Sequence, residues 1–374
     1  MASEGVTAMQ DMNVAIGASI DDIDTPALIV DLDAFEHNLR HMAAFTRAAG
    51  IRLRPHAKTH KCPDVAKRQI ALGAVGMCCQ KVSEAEAMVD GGVSDVLVSN
   101  EIVGASKLAR LAELSRRAKI GVCVDNAENV RQLKGDLDVY IEIDVGMRRC
   151  GVAPGAPAVA LAREIVKSGL RFGGLQAYHG RAQHLRGVEA RAAAIRHAAM
   201  LVRAAQASIT SAGMRCPLVT GAGSGSFAFE AASGVYDELQ CGSYLFMDRD
   251  YADNEATPNA PVFEHALFVK SQVMSRGASH AVVDAGHKAH AVDSGLPRVW
   301  QRELVFANGG DEHGILTPRV AGGTLPGLGE TVWLVPGHCD PTVNLHDHYV
   351  ALRGGLAQGN VEAVWTIDAR GRLR

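Results

Sequence analysis

The sequence predicts an α/β chain, a (β/α)8 TIM-like barrel followed by a C-terminal β-rich domain. Two observations carry this expectation. From Ile51 to about Met247, eight strand-like runs alternate with helical stretches, the order that builds parallel βαβ units. Beyond about Pro261, apolar runs follow one another across Gly-rich turns with little helix between them. At 374 residues the chain exceeds one ordinary core and suits two domains. A hydrophobic share of 47% with 21% charged residues fits a soluble globular protein. A formal net charge of −3 gives no electrostatic case for nucleic acid or a membrane as partner.

Residues 1–23 read as an N-terminal extension. They lack a basic segment followed by an apolar one, so no signal peptide is expected. No apolar run approaches membrane-spanning length. Most of the eight cysteines sit in apolar, strand-like runs such as "GMCCQKV", which suits buried reduced thiols and a cytoplasmic protein. Residues 24–260 form the expected barrel domain and 261–374 the β domain. The first strand–helix pair, "TPALIVDLDAFEHNLRHMAAFTRAAG", supplies one strand too many for a closed barrel. Its strand, about 26–32, is therefore assigned to the β domain.

The eight barrel strands are read, in order, in "IRLRPHAK", "VGMCCQKV", "DVLVSN", "IGVCVDN", "VYIEIDVG", "GGLQAYHG", "PLVTGAG" and "ELQCGSY". Ser83 with Glu86 has capping-box spacing at the head of the helical stretch "SEAEAMVDGG". "HALFVKSQVMSRG", "HAVVDAG", "ETVWLVPGH", "YVALRGG" and "NVEAVWTIDARG" make the strands of the second domain.

Barrel function sits at the C-terminal ends of strands. The first strand candidate carries Arg52, Arg54, His56, Lys58 and His60 on alternate residues, which in an extended chain would share one face. Five potential cations together call for an anion. The loops after the last two strands, with Gly221, Gly223, Ser224, Gly225 and Ser226, then Gly242 and Ser243, could cradle a phosphate or be plain turns. Lys58 reads either as a solvated strand-end lysine or, crowded by Arg54, His56 and His60, as a reactive amine of depressed pKa. Reactive lysine plus phosphate site points to pyridoxal phosphate held as a Schiff base.

In "GHCDP", His338 and Asp340 would point the same way along an extended chain, with Cys339 opposite. An imidazole and a carboxylate make a half-site for a divalent metal. Mn2+ comes first, with Mg2+, Co2+ and Zn2+ as alternatives. His346 and His348 form a rival pair, read as supporting or surface residues; His287 and His290 are left as structural.

"RPHAKTHK", "CCQKVSEAEA", "AYHG" followed by "QH", "GSGS", "LQCGSYLFMDRDY", "DEHG" and "VPGHCDPTVNLHD" together resemble the D-threonine aldolases. More broadly they resemble the alanine-racemase-like, fold type III pyridoxal phosphate enzymes, which include 3-hydroxy-D-aspartate aldolase and D-serine dehydratase. The resemblance runs from about Asp24 to the C-terminus. It implies Lys58 as the Schiff-base lysine and His184 as general base. It also implies Gly223, Ser224, Gly225, Gly242, Ser243 and Tyr244 as phosphate-binding segments, Tyr178 beside the cofactor ring and Arg149 near its polar edge. The dehydratase branch resembles His-x-Cys where this chain has His338 and Asp340, which looks like the aldolase branch. A homodimer is implied as well.

The implied reaction is metal-dependent retro-aldol cleavage of a D-β-hydroxy-α-amino acid to glycine and an aldehyde. Arg148 and Arg181 stand where small residues are usual in the family. They read either as solvated cations or as partners for a second carboxylate, as 3-hydroxy-D-aspartate would carry.

Overall fold

The computed structural model describes residues 14–374. The expected absence of a leader therefore rests partly on residues 1–13, outside the described residues. Strand β1 (Ala27–Asp31) comes first. Eight follow: β2 (Arg52–Leu53), β3 (Met77–Cys79), β4 (Asp95–Glu101), β5 (Lys119–Val124), β6 (Leu137–Glu142), β7 (Arg171–Ala177), β8 (Val219–Gly221) and β9 (Glu238–Leu239). The remainder are β10 (Leu267–Arg276), β11 (Ala281–Val283), β12 (Arg298–Val299), β13 (Leu304–Asn308), β14 (Gly314–Pro318), β15 (Thr331–Val335), β16 (His348–Arg353) and β17 (Asn360–Thr366).

Strands β2 to β9 form one parallel sheet in the order β2-β9-β8-β7-β6-β5-β4-β3. Its two edges meet at a parallel bridge between His56 and Cys78. There the Ala57 N–H donates to Cys78 O at 2.7 Å and the Cys78 N–H to Pro55 O at 2.8 Å. The sheet is thus a TIM-like barrel, with helices between most successive strands. Val96, Val98, Ile120, Val122, Val139 and Ile141 belong to the large core that includes Met88, Leu111 and Leu161 of those helices. Alternate positions turn the other way, so Cys78, Leu97, Cys123, Tyr140 and Leu218 make a separate small cluster inside the barrel. Gly121 belongs to this interior. A Cβ there would stand 2.8 Å from Leu97 Cδ1 and 3.1 Å from the Tyr140 ring.

The interior also holds a polar layer. Gln176 and Gln240 exchange side-chain hydrogen bonds at 3.1 and 2.7 Å. Gln240 also donates to Thr220 at 2.8 Å, and Thr220 donates to Glu238 at 3.0 Å. Arg54 closes the network, with Nε 2.9 Å from Glu238 and Nη1 2.7 Å from Asp95. This buried guanidinium ties the end of β2 to its neighbour β9 and, across the seam, to β4.

The second, nine-stranded sheet is mostly antiparallel. β1 lies inside it, antiparallel to β10 (Ile29 opposite Phe268) and parallel to β16 (Ile29 opposite Val350). Leu28 and Val30 pack into one core and Ile29 with Phe268 and Val350 into another, as alternation requires. The helix Leu32–Ala49 then crosses toward the barrel, capped by Asp31 and ended by Gly50 at φ 63°. Asn38 on that helix donates to Leu245 O and Glu264 O, clamping the junction.

Two sequence expectations need correction. The run 51–61 is not a strand with five cations on one face. Pro55 has no N–H to continue a ladder, so β2 stops at Leu53 and the chain turns after His56. Two of the five cations go to separate partners, Arg54 to Glu238 and Asp95 and Lys58 to Asp340, and the neighbouring Lys61 pairs with Glu84 at 2.5 Å. Nor do Ser83 and Glu86 cap a helix. The helix is Val82–Asp90, and Glu84 accepts from the Gln80 and Lys81 N–H groups at 2.9 and 3.2 Å. Glu86 instead pairs with Arg110.

Removing the guanidinium would leave Glu238 buried in the seam without a counter-charge, while Asp95 keeps Lys119 at 3.3 Å. Arg54→Met is expected to cost about 3–5 kcal/mol of stability, read as a lowered denaturant midpoint. A midpoint matching wild type would mean that Arg54 has no part in closing the barrel.

Candidate active site

Lys58 lies in the turn after the His56 bridge, at the C-terminal mouth of the barrel. Its Nζ contacts Asp340 Oδ2, supplied by the other sheet's domain. His338 stands beside them, with Nε2 3.9 Å from the same oxygen. Its Nδ1 is 2.7 Å from Asp293 Oδ2 and 3.4 Å from Ser294 Oγ, which leaves Nε2 as the free ring atom. The expected pairing of His338 with Asp340 is present, but not through an extended chain. His338 is extended and caps the short helix Cys339–Val343, whose first turn carries Asp340. The Cys339 N–H donates to Asp248 at 2.9 Å.

The electrostatics reverse another expectation. Burial on its own would lower the Lys58 ammonium, but the Asp340 carboxylate outweighs it and raises the pKa above the ordinary value. Burial would likewise raise Asp340, yet Lys58 and His338 hold it well below the usual carboxylate range. His338 is raised as well: burial opposes its charge, while Asp340 and then Asp293 favour it. His56 does not add to this charge, because burial, with Lys58 second, pushes it well below its normal value. The crowding that suggested a depressed lysine is therefore absent.

A cavity of about 250 Å³ opens beside Lys58. Gly223, Ser224, Gly242 and Ser243 line one part of it. Their four N–H groups find no partner among the described residues, so the two loops present free donors and hydroxyls to one space. Gly242 must be glycine, since a Cβ would come within 2.5 Å of Thr59 Oγ1 and 2.9 Å of His56 O. Tyr178 and Arg149 also line the cavity, with the guanidinium 5.7 Å from the ring centroid and 3.8 Å from Glu142.

Other expected site residues lie elsewhere. The Gly225 N–H is spent on Gln183 Oε1 at 3.0 Å, and Gly225 is not in the lining. Tyr244 is buried behind the loop; its N–H donates to Ser224 Oγ and its hydroxyl accepts from Gln69. His184 stands outside the lining, half exposed, with Nδ1 2.5 Å from Asp250 Oδ2. Burial would raise Asp250, but His184 and Arg186 hold it at about 2. Arg148 and Arg181 do not line the cavity either. His346 spends Nε2 on Ala289 O.

Sequence reasoning missed Gln176 and Gln240 in the lining, Tyr251 in its wall, and Asp293 behind His338. Tyr251 ends the quoted segment "LQCGSYLFMDRDY". The glutamines give no sequence signal, because nothing marks which strand residues point inward.

The donor set fits an anionic, pyridine-based cofactor: free N–H groups for a phosphate, a lysine for its aldehyde, and Arg149 with Tyr178 at its edge. It also fits a divalent cation. His338 Nε2 and Asp340 Oδ2 converge, and Asp340 Oδ1 is buried without a partner.

The Gly223–Ser226 loop is braced from behind. Gln183 Nε2 donates to Ser226 Oγ, which donates to Glu230 Oε1, both at 2.7 Å. Burial pushes the Glu230 carboxyl up to about 7 against the lowering pull of Ser226. A raised carboxyl contributes stability in full below its unfolded value of 4.5 and loses it as pH rises through about 7. Glu230→Gln should therefore gain on wild type across that window, by on the order of 3 kcal/mol. Melting curves at pH 5 and 8 test this; an equal gap at both would contradict it.

The chain is similar to known proteins along nearly its whole length. The family described as alanine racemase, N-terminal domain, matches residues 30–250, and a serine dehydratase domain matches residues 266–352. A D-threonine aldolase from Arthrobacter sp is 47% identical over 363 residues, covering 94% of each chain. A 3-hydroxy-D-aspartate aldolase from Paracoccus denitrificans (strain Pd 1222) is 44% identical over 372 residues, 95% of this chain and 94% of that one. The crystal structure of D-threonine aldolase from Filomicrobium marinum superposes with a TM-score of 0.94 at 49% identity, covering 96% of this chain and 100% of that one. Matched to such relatives over nearly its whole length, and by the family model over most of the barrel, the chain belongs to the D-threonine aldolase family of alanine-racemase-like proteins.

Proposed function

We propose that this protein is a pyridoxal-phosphate- and divalent-metal-dependent lyase. It cleaves D-β-hydroxy-α-amino acids of the D-threonine type to glycine and an aldehyde by retro-aldol reaction. The observation that carries this reading is the convergence of Lys58 with His338 and Asp340, from two domains, at the edge of one cavity. The bound cofactor supplies an electron sink for the pair released when Cα–Cβ breaks. Lys58 would be its covalent anchor, and as a free amine it stands beside the place where the substrate amine binds. Gly223, Ser224, Gly242 and Ser243 hold its phosphate, with Gly225 and Tyr244 acting from behind the loop. Arg149 and Tyr178 fix its orientation.

His338 and Asp340 would hold the cation, Mn2+ first, with Mg2+, Co2+ and Zn2+ as alternatives, to acidify the β-hydroxyl. Asp293 keeps the free Nε2 of His338 aimed at it. His184 is the base for the hydroxyl proton. Asp250 occupies its Nδ1, so Nε2 is the atom that accepts. Its place outside the lining means that it acts from the rim, next to Tyr251, whose ring lies 5.9 Å away.

The reading with 3-hydroxy-D-aspartate, giving glyoxylate, is favoured by one observation. The side chains of Arg148 and Arg181 have no hydrogen bond among the described residues, Arg148 standing only in the field of Asp144, and so can take a second carboxylate. We assign the protein to the cytoplasm, which its eight free cysteines suit, and to a homodimer. Exposed apolar side chains such as Val262 and Leu328 are consistent with pairing.

The test offers D-threonine and 3-hydroxy-D-aspartate to the cofactor-loaded protein with Mn2+, then with chelator. Glycine plus aldehyde, abolished by chelation and by Lys58→Ala, is the expected result. Ammonia without glycine would mean a dehydratase. Asp293→Asn should weaken Mn2+ affinity roughly 10- to 100-fold with the protein still folded; an unchanged metal titration would remove Asp293 from this role.

A further inference from the structure

Three adjacent barrel strands bring a different donor set to their C-terminal ends. Glu101 ends β4, Asp125 follows β5, and Cys150 comes from the loop after β6. One ligand atom from each lies within 4.8 Å of the other two. Glu142, the last residue of β6, faces the same cluster.

Two observations make this more than an acidic patch. Both Glu101 carboxylate oxygens are buried and neither receives a well-formed hydrogen bond among the described residues, although the Cys150 thiol and the Glu142 carboxyl stand beside them. The Glu142 side chain is 6% exposed, and its nearest cation, Arg149 Nη2, stands 3.8 Å away, outside hydrogen-bond reach. Asp125 keeps only the Gly151 N–H, at 3.0 Å. Three carboxylates thus share a partly dry space with one distant guanidinium. Such a group must take up either a proton or a cation.

We propose that Glu101, Asp125 and Cys150 form a second divalent-cation site, on different strands from His338 and Asp340, that takes a borderline metal such as Zn2+ or Co2+. The sulfur decides the class. Mg2+ and Ca2+ prefer oxygen alone, whereas a mixed thiolate and carboxylate set suits the borderline ions. On binding, the Cys150 S–H bond gives its proton to solvent as the S–metal bond forms, and no oxidant or reductant is involved.

The experiment strips the holoenzyme with chelator, dialyses it against Co2+, and counts metal per chain. X-ray absorption then looks for a sulfur neighbour at about 2.3 Å. Wild type is expected to hold two ions with sulfur scattering present. His338→Ala should hold one and keep the sulfur signal. Cys150→Ser should lose the signal, and Glu101→Gln, which leaves the thiol in place, should lose one ion. Absence of cobalt–sulfur scattering in wild type, or an undiminished metal count in both Cys150→Ser and Glu101→Gln, would overturn the site.

Discussion

The contact between Lys58 and Asp340 is what the rest of the site depends on. Each group belongs to a different domain, and each would be costly to bury alone. Their meeting ties the barrel mouth to the second sheet at the site, within a junction that a shared apolar core also holds. Supporting bonds follow the same line. Tyr349 of β16 donates its hydroxyl to His60 O at 2.7 Å, two residues beyond Lys58. Asp248 receives the N–H of Cys339, next to Asp340. A tyrosine so employed is not available as a proton donor in the cavity.

This arrangement changes the view of how the lysine is prepared. Nearby cations do not make it reactive, because Arg54 and Lys61 are neutralised by their own carboxylates and burial keeps His56 uncharged. Asp340 instead holds Lys58 as an ammonium. A divalent cation on His338 and Asp340 would compete for that same carboxylate oxygen and so weaken the lysine's hold on its proton. A metal held there and the lysine would be coupled through one atom, Asp340 Oδ2. Aldolase chemistry of this kind needs both domains, although the barrel alone carries the lysine and the phosphate loops.

The barrel and the second sheet were legible because each rests on periodicity: strands alternating with amphipathic helices, then strands without them. Lys58, the two Gly/Ser loops and the His338–Asp340 pair were legible because reactive and ligating residue types gather where barrel strands end and at the close of one β-domain strand. What failed were inferences about direction. Alternate residues share a face only while the chain stays extended, and Pro55 ends that at the first strand. Gly225 and Tyr244 sit within the expected segments, but one N–H is turned toward Gln183 and one ring toward Gln69. Gln176 and Gln240 were invisible because an inward-facing glutamine and a surface one look alike in sequence. Only closure of the barrel brings them together. Glu101, Asp125 and Cys150 are likewise far apart in the chain and become neighbours through strand order alone.

Everything proposed for the cavity turns on Lys58 as the covalent anchor at the junction of the two domains. The most direct measurement is to reduce the cofactor-loaded protein with borohydride, digest it, and locate the pyridoxyl group by peptide mass spectrometry. A single modified position, Lys58, is the expected result. A label on Lys61, which lies three residues away and is paired with Glu84, or a label spread over surface lysines, would contradict it.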